Sequence, residues 1–443
     1  MNISVIGLGK LGLCTAACFA AKGHRVIGFD KDEYIVDELQ AKRCPINETG
    51  MEELLETAWK NLTITTIIEN AVLNSEITLI IVPTPSQPDG KFSNKYVENV
   101  LQTLAPVLEE KEEFHVVDVV STVMPGSSDK CFRPLLENMS GKVCGRDFGL
   151  VYNPEFIALG SVIRDFFNSD MVLIGASDKR SGDMVKELYL STCESNPEIK
   201  VMSLVNAEIA KLSLNCFVTM KISFANELAS VCERVPGADI DVITNALGAD
   251  TRIGSKYLKG GLGFGGPCFP RDNQAFQAFA RESGVEPRLG HQVVAINNAV
   301  VDRLFDIISK QRNRNGRIAL LGLSYKAGTC IIEESQSIAL AQKLVQAGYL
   351  VALHDPKAMD ITKAVLGEKV HYFDDPYTAA QCADAVVLLT DSPLYQRLDW
   401  QRLEQTLAED ALLLDCWRIA GNRSWKQAKY MGLGLGKSPY IQA

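Results

Sequence analysis

Short apolar runs alternate with longer amphipathic stretches in the first part of the chain, a pattern typical of parallel strands alternating with helices. The first thirty residues predict a strand over 2–6, a helix over 13–22 and a second strand over 25–29. Further apolar runs predict strands at 77–82, 115–120, 149–152 and 171–174. The pattern therefore predicts a doubly wound, mostly parallel sheet.

A second and weaker copy of this pattern begins at Arg317. It predicts a helix over 335–348 and strands at 318–321, 350–354, 385–389 and 412–415. Its first turn, from Gly322 to Lys326, lacks the second and third glycines of a dinucleotide-binding turn, and its lysine suits a different phosphate ligand. We therefore predict a second nucleotide-binding unit that does not bind a dinucleotide.

The stretch between the two units, 206–308, has mostly helical periodicity. Its first part, 206–235, contains no proline or glycine, and a helix of that length spans about 45 Å. Such a helix bridges domains or forms a dimer interface. Its apolar stripe, interpreted as core or interface, comprises Ile209, Leu212, Phe217, Met220, Phe224 and Leu228.

The predicted fold class is α/β, with two doubly wound Rossmann-like domains joined by a long central helix and a helical middle region. The predicted domains are a first Rossmann-like domain over 1–200, a central helical domain over 201–308 and a second Rossmann-like domain over 309–443.

The composition of the chain argues against several classes of protein. The 443 residues include 45 basic and 54 acidic side chains, a formal net charge of −9, which argues against sequence-independent nucleic-acid binding. No long uncharged apolar run predicts a membrane span, and the apolar N-terminus lacks the basic region of a signal peptide. Twelve cysteines without a CxxC pair predict neither a disulfide framework nor a metal site. We expect a soluble, cytoplasmic protein.

A glycine-rich turn follows the first predicted strand directly. Gly7 permits the tight turn, Gly9 lets the backbone approach a pyrophosphate, and Gly12 lets helix and strand pack closely. Asp30 ends the second strand, where an acid accepts hydrogen bonds from a ribose and favours NAD over NADP. The predicted cofactor contacts in the turn are Gly7, Gly9, Lys10, Leu11 and Gly12. The alternative is a glycine-bearing turn without a ligand.

Polar loops follow two further strands of the predicted first sheet, at 83–86 and 121–126. Loops at the carboxyl ends of parallel strands line the ligand crevice, so Thr84, Ser121 and Thr122 are candidate cofactor contacts. Ordinary turn chemistry is the alternative explanation.

The segment 260–272 combines five glycines in seven residues with a cysteine between two prolines. A thiol at the end of such a loop, near lysine, arginine and aspartate, is typical of an activated nucleophile, here Cys268. Lys211 and Asn215 lie four residues apart and share one helix face, for which a solvated polar face is the alternative explanation.

Residues 265–272, Gly-Gly-Pro-Cys-Phe-Pro-Arg-Asp, resemble the active-site signature of the UDP-glucose/GDP-mannose dehydrogenase family. The resemblance covers essentially the whole chain, because Asn153-Pro154-Glu155-Phe156 and Lys211-x-x-x-Asn215 also follow in the family's order. It implies a four-electron oxidation of a sugar-nucleotide C6 alcohol to a carboxylate, with NAD as cofactor. It also implies that the predicted domain over 1–200 binds NAD and that the predicted domain over 309–443 binds the nucleotide sugar. The cysteine loop is closer to that of UDP-glucose enzymes than to that of N-acetylhexosamine-type members.

The same resemblance implies residue roles. Cys268 attacks the aldehyde to give a thiohemiacetal and then a thioester, while Lys211 and Asn215, with a water held by Asp272, stabilise oxyanions and assist proton transfer. Glu155 orients or activates the hydrolytic water, Thr122 holds a water, and both Glu155 and Cys268 contact the cofactor. The implied substrate contacts are Glu155, Phe156, Lys211, Asn215, Arg252, Tyr257, Lys259, Gly260, Gly261, Leu262, Gly263, Phe264, Gly265, Tyr325, Lys326 and Arg418.

For three of these residues, taken singly, an explanation without a catalytic or binding role is the alternative. Glu155 is alternatively a helix N-terminal acid, Asp272 a surface partner of Arg271, and Lys326 a solvated loop lysine. By resemblance, Arg252 reaches the site of a neighbouring subunit.

The chain departs from the family pattern at three positions. Leu159 stands where many members have a second glutamate, and Ile331 and Glu333 stand where many have an aspartate and an arginine. The arginine contact therefore cannot be carried over, and Arg418 is a candidate source of the missing positive charge.

Three functions remain open from the sequence: a nucleotide-sugar 6-dehydrogenase with UDP-glucose favoured over other UDP sugars or GDP-mannose, a two-electron hydroxyacid dehydrogenase, and a nucleotide-sugar-binding regulator without turnover. The expected partners are the nucleotide-sugar substrate and further copies of the chain, in a homodimer or a higher homo-oligomer, since the long helix argues against a monomer.

Overall fold

The computed structural model describes residues 1–157, 159–311, 315–421 and 423–436. The chain divides into two compact units, Met1–Ser213 and Leu214–Ala443. Within the described residues, no helix is both long and apolar enough to cross a bilayer.

The first unit is built on an eight-stranded sheet in the order β3-β2-β1-β4-β5-β6-β7-β8, in which only β6 and β7 pair antiparallel. Its strands are β1 (Asn2–Ile6), β2 (Arg25–Phe29), β3 (Leu62–Thr65), β4 (Ile77–Ile80), β5 (His115–Val119), β6 (Phe148–Tyr152), β7 (Met171–Ala176) and β8 (Glu198–Met202). The strands β4, β5 and β6 are buried along their whole length, because helices cover both faces of the sheet.

Eight helices connect these strands: α1 (Lys10–Ala21), α2 (Glu33–Gln40), α3 (Met51–Ala58), α4 (Ile68–Leu73), α5 (Lys95–Glu110), α6 (Arg133–Ser140), α7 (Val162–Phe167) and α8 (Lys179–Leu190). A π-helical turn, Ser128–Phe132, precedes α6. One apolar core packs around Phe19 of α1, and a second packs around Leu101 of α5. The helix α1 lies at the centre of the first core, and its small side chains allow close packing on the sheet.

A long helix, α9 (Leu204–Cys232), begins in the first unit and ends in the second. Three more helices follow it: α10 (Ile240–Ala249), α11 (Phe269–Glu282) and α12 (Arg288–Gln311). The segment 250–268 between α10 and α11 contains no helix, although the periodicity predicts a mostly helical region there.

The second unit contains a six-stranded parallel sheet in the order β11-β10-β9-β12-β13-β14. Its strands are β9 (Arg317–Leu321), β10 (Leu350–His354), β11 (His371–Tyr372), β12 (Ala385–Leu388), β13 (Leu412–Asp415) and β14 (Lys429–Gly432). Its helices are α13 (Gln336–Gln346), α14 (Met359–Leu366), α15 (Pro376–Ala380), α16 (Pro393–Gln396) and α17 (Trp400–Thr406), with a 3₁₀ turn at Gly367–Lys369.

The predicted fold class is confirmed, because two Rossmann-like sheets and a long middle helix are present. The predicted strands lie within one or two residues of the observed ones. Four short strands were not predicted: β3, β8, β11 and β14. The largely exposed β8 lacks the apolar run that marks the central strands. The bounds of the three predicted domains stay a prediction.

Candidate active site

The turn after β1 leaves no room for side chains on two of its glycines. Gly7 has a φ of +95°, and a Cβ there would lie 2.4 Å from the carbonyl oxygen of Ile81. A Cβ on Gly12 would lie 1.8 Å from the carbonyl oxygen of Gly7. A Cβ on Gly9 would meet no protein atom within 4 Å, so the backbone is open on that side. With Gly9 as the N-cap of α1 and no side chain capping the helix, this turn fits a phosphate group.

Asp30 lies beside the same turn, directly after β2. Its Oδ2 accepts a hydrogen bond of 2.7 Å from the backbone N–H of Leu8, and its Oδ1 accepts one of 3.0 Å from Asp32. The carboxylate is therefore fixed against the glycine turn. This placement suits the dinucleotide interpretation, in which Asp30 faces a ribose.

The loops after β4 and β5 are joined by their hydroxyl groups. Thr84 donates from Oγ1 to the carbonyl oxygen of Thr122 at 2.7 Å. Ser121 donates from Oγ to the carbonyl oxygen of Val82 at 2.7 Å and accepts from the N–H of Val82 at 2.9 Å. The hydroxyls of Thr84 and Ser121 thus fix both loops at the carboxyl edge of the sheet, where a cofactor would lie.

Glu155 follows β6 and is held by two neighbours in the first unit. Its Oε1 accepts a hydrogen bond of 2.8 Å from the Tyr189 hydroxyl, and Lys211 donates to its backbone carbonyl at 2.5 Å. The Lys211 ammonium also lies 4.4 Å from the centroid of the Phe156 ring. Burial raises the pKa of Glu155 to about 7, against the Tyr189 hydrogen bond and the Lys211 charge, which both lower it. Glu155 can therefore exchange a proton near neutral pH.

A second carboxyl group of the first unit is fully buried in β5. Neither side-chain oxygen of Asp118 has a hydrogen-bond partner among the described residues. Burial raises the pKa of Asp118 well above its usual value, and the charge of Glu155 adds to this effect. The folded protein therefore favours the protonated, neutral form of Asp118.

In the second unit, Cys268 is the N-cap residue of α11 and is exposed. Asp272 lies in the first turn of this helix, where its N–H donates to the carbonyl oxygen of Cys268 at 2.8 Å. The side chain of Asp272 is buried and accepts a hydrogen bond of 2.5 Å from the Asn215 amide. The thiol thus lies at the positive end of a helix, one turn from a fixed carboxylate.

Burial rules out two of the alternative explanations. The side chains of Lys211 and Asn215 are each 7 % exposed, so they do not form a solvated polar face. Asp272 is 2 % exposed, so it is not a surface residue.

Tyr325 and the glycine-rich loop are in close contact within the second unit. A Cβ on Gly266 would lie 2.5 Å from the Tyr325 ring, so only glycine allows this approach. Burial raises the pKa of the Tyr325 hydroxyl, and negative charge on Cys268 raises it further. Tyr325 therefore lies near the thiol, whereas the following Lys326 is exposed.

Arg418 does not supply a free positive charge. Its guanidinium pairs with Asp241, with Nε to Oδ2 at 2.6 Å, and donates to the carbonyl oxygen of Gly260 at 2.8 Å. The side chain is 5 % exposed. Arg418 thus anchors the start of the glycine-rich loop, and the suggestion that it replaces the family arginine finds no support in this pairing.

Three predicted substrate contacts lie before the glycine-rich loop. Arg252 is an exposed side chain paired with Asp250 at 2.5 Å. Tyr257, with a φ of +62°, is also exposed. The Lys259 ammonium lies 5.6 Å from the Trp417 ring centroid. Among the residues that the structure describes, no cluster of three or more His, Cys, Asp or Glu side chains is arranged to hold a metal ion.

Three domains of one family match the chain in order. The UDP-glucose/GDP-mannose dehydrogenase family matches with its NAD binding domain over residues 1–192, its central domain over 205–299 and its UDP binding domain over 319–422. The chain belongs to this family. It is therefore an NAD-dependent oxidoreductase of the nucleotide-sugar dehydrogenase type.

The relatives of this chain include enzymes named for UDP-glucose and enzymes named for GDP-mannose. A UDP-glucose 6-dehydrogenase of Haloferax volcanii is 36% identical over 403 residues, which are 90% of this chain and 93% of the relative. A GDP-mannose 6-dehydrogenase of Pseudomonas aeruginosa is 36% identical over 360 residues, 80% of this chain and 81% of the relative. A solved UDP-glucose dehydrogenase from Pyrobaculum islandicum has a TM-score of 0.87 at 34% identity, covering 98% of this chain and 97% of that one.

Two residues that hold predicted site residues in place were not predicted from the sequence. Tyr189 of α8 holds Glu155, and Glu208 of α9 accepts hydrogen bonds from the N–H groups of Gly126 at 2.5 Å and Ser128 at 2.9 Å. Glu208 thereby fixes the end of the loop that carries Ser121 and Thr122. An acid on an otherwise apolar helix stretch, three residues before Lys211, was the available signal for Glu208.

Proposed function

We propose that this dehydrogenase oxidises the C6 alcohol of a nucleotide sugar to the carboxylate, with UDP-glucose as the favoured substrate and two NAD⁺ reduced per sugar. The observation that carries the proposal is the exposed Cys268 at the N-terminus of α11, with the buried Asp272 one turn further along. An oxidation that stops at the aldehyde or ketone needs no such thiol.

NAD⁺, when bound in the first unit, supplies the hydride acceptor for each of the two oxidations. The proposed role of the glycine turn is to bind its pyrophosphate at the open side of Gly9, next to the N-terminus of α1. Asp30 would then bind a ribose hydroxyl. The loops fixed by Thr84 and Ser121 would line the remainder of the cofactor site.

The thiolate of Cys268 adds to the carbon of the aldehyde formed in the first oxidation, and the resulting thiohemiacetal is oxidised to a thioester. Water then adds to the thioester carbonyl, the carbon–sulfur bond breaks, and the acid and the free thiol are released. The net change is one alcohol and one water converted to a carboxylate, with two hydrides transferred and three protons released. The positive end of α11 stabilises the thiolate at the start and the end of this sequence.

The remaining catalytic roles follow from charge and burial. Lys211 carries a buried positive charge that would stabilise an oxyanion, and Asn215 fixes the Asp272 carboxylate that would hold a water. Glu155, with a pKa raised to about 7, would accept the proton of the hydrolytic water. Thr122 would help to hold this water.

The favoured sugar nucleotide rests on the relatives and on the cysteine loop. The relatives from Haloferax volcanii and Bacillus subtilis are both UDP-glucose 6-dehydrogenases, and the one from Bacillus subtilis is 33% identical over 98% of this chain. GDP-mannose is the second candidate, because the Pseudomonas aeruginosa relative has the same identity of 36% over a shorter match.

We also propose that the protein is a homodimer that pairs through α9. Phe217, Phe224 and Val231 lie seven residues apart on this helix and are 60%, 50% and 52% exposed. Side chains seven residues apart lie on one face of a helix, so they form an apolar stripe suited to a second copy of the same helix.

The test is the ratio of NADH formed to nucleotide sugar consumed, with UDP-glucose, its N-acetyl analogues and GDP-mannose offered separately. We expect a ratio of about 2 with UDP-glucose, and loss of this second oxidation in Cys268→Ser. Cys131→Ser, which removes another exposed thiol, is the matched control and should keep the ratio. A ratio of about 1 would contradict the thioester step, and tight binding without NADH would favour the regulator.

A further inference from the structure

Three buried side-chain amides meet the backbone of the glycine-rich loop in the second unit. Asn226 comes from α9, Asn297 from α12, and Gln336 is the first residue of α13. Their side chains are 2%, 8% and 7% exposed. None of them carries a role in the proposed chemistry.

Asn226 and Asn297 each make two hydrogen bonds to the loop backbone. Asn226 accepts from the N–H of Gly261 at 2.8 Å and donates to the carbonyl of Leu262 at 3.1 Å. Asn297 accepts from the N–H of Phe264 at 2.7 Å and donates to the carbonyl of the same residue at 3.1 Å. Each amide thus holds a donor and an acceptor of the backbone together, which fixes position and orientation.

Gln336 joins this arrangement from a third helix. It accepts from the N–H of Gly263 at 2.7 Å and donates to the backbone carbonyl of Asn297 at 2.9 Å. It therefore links the loop to α12 as well as to α13. A Cβ on Gly263 would lie 2.2 Å from both the Asn297 and the Gln336 side chains, so a glycine is required for this contact.

Close packing against these amides is thus one reason for the high glycine content of the loop, in addition to its proposed role in ligand binding. The three amides bind five backbone groups of the four residues 261–264. Glycine-rich backbone is otherwise free to adopt many conformations, and a ligand that orders it would bind less tightly. Amide groups that hold the loop in advance remove that cost.

We propose that Asn226, Asn297 and Gln336 form an amide clamp that holds residues 261–264 in the shape that receives the nucleotide sugar. They are positioning residues, since they bind the loop and not the reacting atoms. The proposal rests on the proposed function for the identity of the ligand. It assigns the clamp to substrate affinity and leaves the chemistry at Cys268 unaffected.

Loss of one clamp residue should not unfold the protein. Asn297 and Gln336 also line a cleft of about 510 Å³ in the second unit. Water in this cleft can bind the backbone groups that a substitution frees, so the loop loosens instead of leaving buried groups unpaired. Gln336→Met keeps the length of the side chain and removes both of its hydrogen bonds.

The test combines hydrogen exchange with steady-state kinetics of the full-length protein. In Gln336→Met we expect backbone amides in the peptide 258–268 to exchange about tenfold faster. We expect KM for UDP-glucose to rise about tenfold, with kcat within about threefold and KM for NAD⁺ unchanged. Gln342→Met makes the same chemical change at an exposed position of the same helix and should alter none of these values. Asn297→Ala provides a second variant.

The outcomes separate the clamp from the proposed function. Unchanged exchange, faster exchange without a change in KM, or a fall in kcat at constant KM would each overturn the clamp. If the wild-type protein oxidises none of the nucleotide sugars, the proposed function fails, and the exchange measurement alone decides whether the amides hold the loop.

Discussion

Replacing Tyr189 with phenylalanine removes the hydroxyl that donates to Glu155 at 2.8 Å and keeps the ring, which packs against Phe19 and Phe166. This hydrogen bond favours the charged carboxylate and lowers the pKa of Glu155, while burial raises it to about 7. Without the hydroxyl, burial is opposed only by the charge of Lys211. The pKa of Glu155 should therefore rise.

The magnitude follows from the strength of the lost contact. A hydrogen bond to a charged group contributes about 1.5–3 kcal/mol, which corresponds to a rise of about one to two pH units in the pKa of Glu155. If the Glu155 carboxylate is the base for thioester hydrolysis, activity falls as pH drops through this pKa. The wild-type carboxylate, with a pKa of about 7, is about half ionised at pH 7. We therefore expect Tyr189→Phe to lose about 5- to 50-fold of kcat at pH 7 and to recover about half or more of the wild-type value at pH 9.

The assay is the pH dependence of kcat between pH 5.5 and 9.5, with NADH absorbance as the readout. Tyr395→Phe is the matched control, since it removes a buried hydroxyl that donates to the carbonyl of His354 at 2.9 Å in the second unit. Its acidic limb should coincide with that of the wild type. A uniform loss of kcat in Tyr189→Phe, without displacement of the acidic limb, would refute the role of Glu155 as a base.

Three further changes test other parts of the structure. Gly9→Val should leave folding intact and weaken NAD⁺ binding at least about tenfold in calorimetry, because its side chain points into open space that the pyrophosphate would use; unchanged affinity would contradict the cofactor site. Asp118→Val should raise Tm, and by more at pH 8 than at pH 5, because folding raises the pKa of Asp118. Above the pKa of Asp118 in the unfolded chain, the free energy of unfolding of the wild type therefore falls by up to about 1.4 kcal/mol per pH unit. An equal gain at both pH values would argue against a protonated Asp118. Phe224→Glu should dissociate the dimer in sedimentation velocity while Val242→Glu, on α10, leaves it intact, and a dimeric Phe224→Glu would argue against pairing through α9.

Local sequence patterns predicted the buried central strands and the glycine turn of the first unit. The buried strands β4 and β5 are mostly apolar, with three valines in β5 and three apolar residues in β4. Gly7 and Gly12 stand at the spacing at which strand and helix approach closely. The strand β8 was missed because its side chains are largely exposed, so no continuous apolar run marks it, and its alternation of Glu198, Ile199, Lys200 and Val201 is only four residues long.

The candidate site was predicted unevenly for a related reason. Cys268 stands in a motif of eight residues. Asn297 and Gln336 bind the same glycine-rich loop, but Asn297 lies 33 residues from its partner Phe264 and Gln336 lies 73 residues from its partner Gly263. A polar residue on a helix resembles a solvated residue until the tertiary fold buries it, as it does for Lys211 and Asn215. Site residues that stand in a local motif could therefore be predicted from the sequence, whereas residues that hold the site through long-range contacts could not.

The most direct test of the central claim is a search for the substrate attached to Cys268. The variant Glu155→Gln, which should slow thioester hydrolysis, is mixed with NAD⁺ and UDP-glucose, quenched in acid, and its peptides are analysed by mass spectrometry. We predict a sugar-nucleotide acyl adduct on the peptide that contains Cys268 and none on the peptide that contains Cys131. NADH formation without any adduct on Cys268 would contradict covalent catalysis by this thiol.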